Sequence, residues 1–297
     1  MTASVPSLHI VITDFNGFGQ TKLCLQALRS SFDRDFHVIV VDHGTTDDTR
    51  RALECHFPEV TRLRGSPELW WAGATNLGVR KALELGAARV MLLNNDCYVT
   101  PETISALGVI TREYPDAIVA PVQRDAASGR ITSIAPRDRL WLGFPTVSGG
   151  GMLTPEVQAR GSIPCSLIIG GRGVSIPSGV FNKLGLFDEV GLPHYFADHD
   201  FYFRARKAGI PLCVATRSVV DVDRTRTSVA DGLDVLSFSA FVNTLTNRRS
   251  HRNLRDAIVF FRKHYPIQGL YGAGVMFYFT RYFLVYLASR IRRLVRF

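Results

Sequence analysis

Short apolar runs alternate with stretches of helical periodicity through the first two-thirds of the chain. The runs predict buried strands, because they are four to seven residues long and rich in Val, Ile and Leu. These predicted strands are residues 8–13, 36–42, 60–64, 90–93, 117–121 and 211–215. The predicted helices are 20–31, a helix capped by Thr45 or Thr46 and ending at His56, then 72–85, 101–114 and 198–209. Strands and helices that alternate in this way predict an α/β fold with a parallel sheet covered on both faces.

The pattern loosens in two later regions. Residues 123–161 have poor periodicity and many Gly, Pro and Ser, which predicts loops or a β-ribbon inserted near a site at the sheet edge. Beyond them, 163–169 and 174–176 predict strands, and 178–184 predicts a short helix. Residues 236–265 are helical in pattern and carry no strand signal. We therefore expect one domain over 1–232 and a basic helical region over 233–297.

The distribution of charge points to a partner for that helical region. The formal net charge of the chain is +9, and the residues from Arg248 onward include eleven Arg and Lys but only one acidic residue, Asp256. Such a tail is expected to meet an anionic surface, which is either a membrane or a nucleic acid. Residues 270–289 are almost wholly apolar and aromatic. Nucleic-acid binding does not explain so much contiguous apolar surface, so we predict an anionic membrane surface and no nucleic acid as the partner.

The apolar stretch is long enough to span a bilayer, but its sequence favours another arrangement. It has twenty residues with Arg281 near the middle, and a central Arg costs about 2.5–3.5 kcal/mol on insertion scales. We therefore predict an amphipathic helix that lies among the lipid headgroups, with its arginines on anionic lipid. The alternative is a helix packed against the first domain.

Cysteine usage and the N-terminal residues bear on location. The five cysteines occur singly and form no C-x-x-C pair, which favours a reducing compartment over a disulfide framework or a zinc site. The first seven residues, MTASVPS, lack the charged and long apolar parts of a signal peptide. Together with the tail, these features predict a cytoplasmic protein that is peripheral on the inner face of the plasma membrane.

Acidic side chains stand at or just beyond the ends of three predicted strands. They are Asp14, Asp42 and Asp96, and open α/β sheets bind ligands outside the carboxyl ends of their strands. Carboxylates there suit a ligand with hydroxyls, an imide N–H and, through a divalent cation, phosphates. Each of them could equally cap a turn. The turn after the first strand has only Gly17 and Gly19 in a G-x-G, so the dinucleotide-binding fingerprint is absent, as is a P-loop.

Six sequence blocks, in the same order, resemble those of the inverting family-2 glycosyltransferases of GT-A fold. The blocks are IVITDFNG at 10–17, VVDHGTTDDT at 40–49, LWWAGATNLGV at 69–79, LLNNDCYV at 92–99, GVFNKLGLFDE at 179–189 and YFADHDFYFRARKAG at 195–209. The resemblance covers about residues 8–227 and is closest to bacterial surface-polysaccharide and rhamnosyltransferase-like members. It implies a nucleotide-sugar-binding, Rossmann-like, mostly parallel sheet. It also implies inverting transfer from a UDP- or dTDP-sugar to a lipid-linked or polysaccharide acceptor.

The resemblance also implies roles for individual residues. Asp198 matches the general base, which must reach the acceptor hydroxyl on the face opposite the leaving diphosphate. Asp96 would hold Mg²⁺ or Mn²⁺ on the diphosphate. Where the family has a histidine that can join the metal, Asp221 or Asp223 could substitute as an oxygen ligand. The residues expected to bind the donor are Thr13, Asp14, Asn16, Asp42, Trp71, Gly73, Asn76, Asn95 and Asp96. Those expected to bind the acceptor are Gly171, Arg172 and Asp200.

Three departures from the family pattern leave alternatives open. Asn94 stands where the family often has Asp, Ala197 replaces the Glu before the base, and residues 219–224, shortly after the last predicted strand, contain no histidine. Asp198 could be a plain helix cap, and Asp200 could pair with Arg204 one helical turn later. The rival functions are a non-catalytic glycosyltransferase-like binding protein and a nucleotidyltransferase on a similar sheet.

Overall fold

The computed structural model describes residues 7–44, 47–147, 153–225 and 236–295. Its strands are β1 (Leu8–Asp14), β2 (Phe36–Asp42), β3 (Thr61–Arg64), β4 (Arg89–Leu93), β5 (Cys97–Val99), β6 (Ile118–Asp125), β7 (Ile131–Ser133), β8 (Arg137–Arg139), β9 (Phe144–Val147), β10 (Ser162–Pro164), β11 (Arg172–Pro177) and β12 (Leu212–Val222). Its α-helices are α1 (Phe18–Arg29), α2 (Asp47–His56), α3 (Trp70–Glu84), α4 (Thr103–Glu113), α5 (Pro155–Ala159), α6 (Ser178–Leu184), α7 (Ala197–Lys207), α8 (Phe238–Thr246), α9 (Leu254–His264) and α10 (Tyr271–Val295).

The main sheet is mixed, which corrects the prediction of a parallel sheet. Its strands follow the order β10-β12-β6-β11-β4-β1-β2-β3. The β1 strand is parallel to β2 and β4, whereas β11 is antiparallel to both β4 and β6. A parallel neighbour needs a crossover that returns the chain to the starting edge. The chain instead enters β11 at Arg172, opposite Leu93 at the end of β4, so it runs back against its neighbours.

Both faces of the sheet are buried, as the continuous apolar runs predicted. Val11, Ile39 and Leu92 point to one face, where they join the larger core with residues of α3 and α7. Ile12 and Val40 point to the other face, where α1 and α4 cover them. Because neighbouring residues of a strand face opposite sides, a strand covered on both sides has no polar alternation.

Two local predictions differ from the structure. The α4 helix begins at Thr103 rather than at Pro101, and the Thr103 hydroxyl accepts the Thr100 N–H at 2.7 Å and donates to the Val219 carbonyl at 2.5 Å. The strand predicted over 163–169 ends at Pro164. Leu167 and Ile168 are buried in an irregular segment instead, so their apolar character reflects burial and not a strand. The predicted cap at Thr45 or Thr46 lies outside the described residues.

The C-terminal helices pack onto the sheet domain. Phe260 and Phe261 of α9 belong to the same core as α7, and α10 lies against α9. Gly143, at φ +74°, allows α10 to approach, because a Cβ there would lie 2.5 Å from the Tyr278 nitrogen. The predicted boundary at 232 falls in the undescribed stretch 226–235 and stays a prediction. No helix within the described ranges combines the length and the apolar character that crossing a bilayer requires.

Candidate functional site

A cavity of about 760 Å³ lies between the end of β4 and the C-terminal helices. The sheet side contributes Asn94, Asp96 and the loop from Ile169 to Arg172, and the start of α7 contributes Phe196, Asp198 and His199. The opposite wall comes from His251, Arg252, Tyr278, Arg281 and Tyr282, and the remaining lining residues are Trp71, Pro145, Thr146, His194, Tyr195 and Arg224. The cavity therefore brings together Asp96 and Asp198, which the sequence predicts as metal ligand and base.

Asp198 is held as a carboxylate in the first turn of α7. Its Oδ2 accepts the Gly170 N–H at 2.7 Å, and its Oδ1 accepts Nδ1–H of His199 at 2.9 Å. Burial raises the pKa of Asp198, but the interactions with His199 and the Gly170 N–H outweigh it, and the net pKa lies below the ordinary value. The helix N-terminus favours the same ionised form. Asp198 is therefore ready to accept a proton at neutral pH.

His199, which bonds to the Asp198 carboxylate, is itself held by a second hydrogen bond. Its Nε2 is hydrogen-bonded to the hydroxyl of Thr146, which also lines the cavity. Nδ1–H is the partner of Asp198, and Nε2 is the partner of the Thr146 hydroxyl. Thr146, His199 and Asp198 thus form a chain of hydrogen bonds along one wall. No role was assigned to His199 from the sequence.

Asp96 sits in the turn after β4, on the sheet side of the cavity. Burial raises the pKa of its carboxyl, while nearby Arg172 opposes that shift. Neighbouring backbone bonds fix the turn: the Asn94 N–H donates to the Gly171 carbonyl at 2.7 Å. The side chain of Asn94 accepts Nε1–H of Trp71 at 3.1 Å. The predicted residues Trp71, Gly171 and Arg172 thus surround the end of β4.

The side chains at this edge of the sheet could bind a divalent cation through one protein carboxylate. Among the described residues, no group of three His, Cys, Asp or Glu could hold a metal ion. The Asp223 carboxylate accepts from Gln20 at 2.9 Å, Tyr98 at 3.1 Å and the Thr225 N–H at 2.9 Å. Burial raises its pKa, but these bonds lower it to about 2. Mg²⁺ is usually held by one or two carboxylates and substrate phosphates, so Asp96 fits a cation shared with a diphosphate. The role of Asp223 as a ligand stays a prediction.

The remaining predicted donor residues form a neighbouring part of the same sheet edge. Asp14 and Asp42 are paired positions at the ends of the parallel strands β1 and β2, next to β4. Oδ1 of Asp14 accepts the Gly17 N–H at 2.7 Å. Thr13 lies at the same strand end, and Asn16 lies in the following turn with φ +53°. None of the four is part of the cavity lining that the described residues form.

Three predicted donor residues make contacts within the protein. Asn76 Nδ2 donates to the Phe187 carbonyl at 3.0 Å and to Glu189 at 2.7 Å, which fastens α3 to that segment. At Gly73, one turn earlier on α3, a Cβ would lie 3.2 Å from Leu69 and 3.5 Å from Glu189. Asn95 Nδ2 donates to the Thr21 hydroxyl at 3.0 Å. The hydrogen bonds of Asn76 and Asn95 fix the elements around the site, and the donor-binding roles of Asn76, Gly73 and Asn95 stay predictions.

The structure places Asp200 away from the cavity. Its side chain is 0% exposed and accepts from Arg204 at 2.9 Å, Lys263 at 3.1 Å and His264 at 2.9 Å. We therefore correct the predicted acceptor contact, because the carboxylate oxygens are used in tying α7 to α9. The alternative pairing with Arg204 is the one that the structure contains.

Sequence reasoning missed the wall contributed by the C-terminal region. It assigned the arginines and aromatic residues there to a lipid surface, whereas Arg252, Arg281 and Tyr282 line the cavity. The available signal was Arg281 itself. A single charge within an apolar helix marks a position that faces protein or water.

Comparisons with known proteins identify relatives of this fold. The family described as "Glycosyl transferase family 2" matches residues 9–158, half of the chain. A search of curated proteins found no match. GalNAc-T7 with UDP, GalNAc and Mn²⁺ superposes with a TM-score of 0.60 at 14% identity, over 74% of this chain and 44% of that one. S. aureus TarS in complex with UDP-GlcNAc gives a TM-score of 0.55 at 12% identity, over 93% of this chain and 72% of that one. At these identities the two structures show a shared fold, and this chain spans less than half of GalNAc-T7.

Proposed function

Because the chain belongs to glycosyl transferase family 2, and is therefore a glycosyltransferase, we propose that it transfers a sugar with inversion from a nucleotide-diphosphate sugar to a hydroxyl of a lipid-linked or polysaccharide acceptor in cell-surface glycan synthesis. The supporting observation is that Asp96 and Asp198 face one cavity from different walls. The family assignment leaves the nucleotidyltransferase alternative without support. An ionised Asp198 in that cavity argues against a non-catalytic binding protein.

In this mechanism Asp198 accepts the proton of the acceptor hydroxyl. The hydroxyl oxygen attacks the anomeric carbon of the sugar from the face opposite the diphosphate, and the bonding electrons leave with the diphosphate. Each carboxylate oxygen has two lone-pair positions. The bonds from Gly170 and His199 use one position on each oxygen, so Asp198 retains an acceptor position for the substrate.

The donor would lie along the edge formed by β1, β2 and β4. In this proposal Asp14, Asp42, Thr13 and Asn16, at or just after the ends of β1 and β2, would contact the nucleoside. Asp96 would meet the diphosphate, and so would Arg172, in place of the acceptor contact expected for it. A divalent cation held by Asp96 would offset the charge that builds on the departing diphosphate. The bound UDP of GalNAc-T7 and UDP-GlcNAc of TarS support a UDP-sugar as the donor.

Substitution of Asp96 tests this donor site. Saturating UDP with Mn²⁺ is expected to raise the melting temperature of the wild type by about 5 °C, since a ligand stabilises only the folded state that binds it. Asp96→Asn should lose most of this Mn²⁺-dependent shift, while Asp116→Asn, an exposed control, should retain it. Differential scanning fluorimetry measures both. Failure of UDP to shift the wild type would contradict a nucleotide-sugar donor, and an equal shift without Mn²⁺ would contradict the metal.

We further propose that the enzyme is cytoplasmic and binds the inner face of the plasma membrane through α10. Six apolar residues on the outward side of this helix form a stripe, and each is 39–59% exposed. They are Met276, Phe277, Phe283, Leu284, Leu287 and Ile291. Arg290 and Arg292 are exposed beside the stripe. Exposed apolar surface next to arginines suits anionic lipid better than a soluble partner.

Sedimentation with vesicles tests this surface. We expect the wild type to bind phosphatidylglycerol-containing vesicles, and Leu284→Glu with Leu287→Glu to bind at least about tenfold more weakly, because two apolar side chains are lost from the bilayer. The matched control is Leu23→Glu with Val109→Glu, which changes two exposed apolar residues on α1 and α4. Equal binding by the two double variants would contradict the membrane role of α10.

A further inference from the structure

Two arginines of the C-terminal wall carry positive charge into the cavity without a visible counter-ion. Arg252 precedes α9 and Arg281 lies on α10, and both line the cavity. Arg252 is only 5% exposed, and its Nε has no hydrogen-bond partner. Within the described ranges, neither guanidinium forms an ion pair. A buried donor without a partner is costly, so the arrangement is suited to an anion from outside the chain.

Aromatic side chains hold both guanidiniums in place. The ring of Tyr282 lies 5.2 Å from Cζ of Arg252 and 5.1 Å from Cζ of Arg281, and the ring of Phe144 lies 4.7 Å from Cζ of Arg281. Burial and the two arginines lower the pKa of neighbouring His251 to about 4, so this ring is neutral at pH 7. The cations are therefore preorganised, and their fixed donors would lose little freedom when they bind an anion.

Contacts between aromatic rings connect the wall that carries the two arginines to the start of α7, which carries the base. The centroid of the Phe196 ring lies 6.0 Å from that of the Tyr278 ring and 5.9 Å from that of the His199 ring. Phe144, beneath Arg281, is two residues from Thr146, whose hydroxyl bonds to His199. Arg172 belongs to the other side, where it influences the pKa of Asp96 and donates to Gln123 at 2.9 Å. Among the arginines of the cavity, Arg172 therefore lies with Asp96, whereas Arg252 and Arg281 lie on the wall of the C-terminal helices that contacts the start of α7.

We infer that Arg252 and Arg281 bind a phosphate of the acceptor, so that the acceptor is a phosphate ester. This inference rests on the proposed function, which puts the acceptor hydroxyl at Asp198. Guanidinium forks match the oxygens of a phosphate through paired hydrogen bonds. A neutral polysaccharide would leave the buried Arg252 without an anion. The phosphate could belong to a lipid diphosphate that carries the acceptor sugar or to a phosphodiester-linked polymer.

Calorimetric titration with phosphate probes tests the inference. Farnesyl diphosphate represents the lipid source and glycerophosphoglycerol the polymer source, and both are titrated into full-length protein saturated with UDP and Mn²⁺. Arg252→Gln and Arg281→Gln should each weaken probe binding at least about tenfold, while affinity for UDP stays within about twofold. Arg252→Lys should recover part of the loss, because it keeps the charge without the fork. Arg255→Gln, an exposed control on α9, should bind like the wild type.

Each outcome of the titration decides the inference. Binding of one probe that depends on the arginines supports it and identifies the source of the phosphate. Loss of UDP affinity with unchanged probe binding overturns it, because the arginines would then serve the donor. Absence of probe binding by the wild type, or probe binding that Arg281→Gln leaves intact, also overturns it. Arg281 is partly exposed, so its variant decides the question if Arg252→Gln does not fold. Failure of the proposed function is separate, since it appears as a wild type that does not bind UDP.

Discussion

Asp198→Asn is expected to lower kcat by about 10²- to 10⁴-fold, the usual contribution of a general base. The amide cannot accept the proton of the acceptor hydroxyl, although its size is nearly that of the carboxylate. KM for the donor should change by no more than about twofold, because the lost interaction acts in the transition state. Initial-rate kinetics measure both constants, with Asp116→Asn as the exposed control. Transfer by Asp198→Asn at the rate of the wild type would refute the assignment of the base.

The dependence of kcat/KM on pH gives a second test of the role of Asp198. The folded pKa of Asp198 lies below its ordinary value, so the carboxylate stays ionised as the pH falls from about 8 to about 5. We therefore expect no acidic limb from this group in kcat/KM over that range. A limb near pH 6 that disappears in Asp198→Asn would show that burial outweighs His199 and the Gly170 N–H.

Asp200→Asn is expected to lower the free energy of unfolding by about 3–5 kcal/mol, as removal of one partner of a buried ionic network does. The substitution leaves Arg204, Lys263 and His264 facing a neutral amide at the junction of α7 and α9. Chemical denaturation measures the change. Asp138→Asn is the matched control, because it removes an ion pair with Arg206, which also lies on α7. The Arg206 side chain is 38% exposed. That loss should be about 0–1 kcal/mol.

The contribution of Asp200 also has a predicted dependence on pH. Burial raises its pKa, but His264, Arg204 and Lys263 lower it strongly, and the folded value lies below the ordinary one. The stabilisation is therefore fully present above the unfolded pKa of about 3.9 and is lost as the pH falls towards the folded value. The difference between wild type and Asp200→Asn should be constant near neutral pH and shrink below about pH 4. Equal stability of the two proteins at pH 7 would contradict the network.

The fold could be predicted from the sequence where burial and secondary structure coincide. The runs ending at Asp14 and Asp42 are continuous apolar segments because both faces of β1 and β2 are covered. The direction of β11 could not be predicted, since apolar pattern does not record which way a strand runs. Leu167 and Ile168 show the same limit, because their burial against the core produces an apolar run without a strand.

The residues around the cavity also differ in how far the sequence indicated their position. Asp96 and Asp198 each stand in a sequence block that resembles the family, and both line the cavity, while their roles stay predictions. Asn76 and Asp200 stand in such blocks too, but their side chains hold α3 and α7 in place. Arg252 and Arg281 belong to no block, and they reach the cavity only because α9 and α10 fold back onto the sheet domain.

Helix α10 presents side chains both to the cavity and to the protein surface. It presents Arg281 and Tyr282 to the cavity and Leu284 and Leu287 to the outside, and an α-helix with its side chains is about 10–12 Å across. With the outer stripe resting in lipid, the hydroxyl that meets Asp198 would sit at a nearly fixed height above the bilayer. If the acceptor is carried on lipid, as proposed, its hydroxyl would then have to project that distance from the bilayer to reach Asp198.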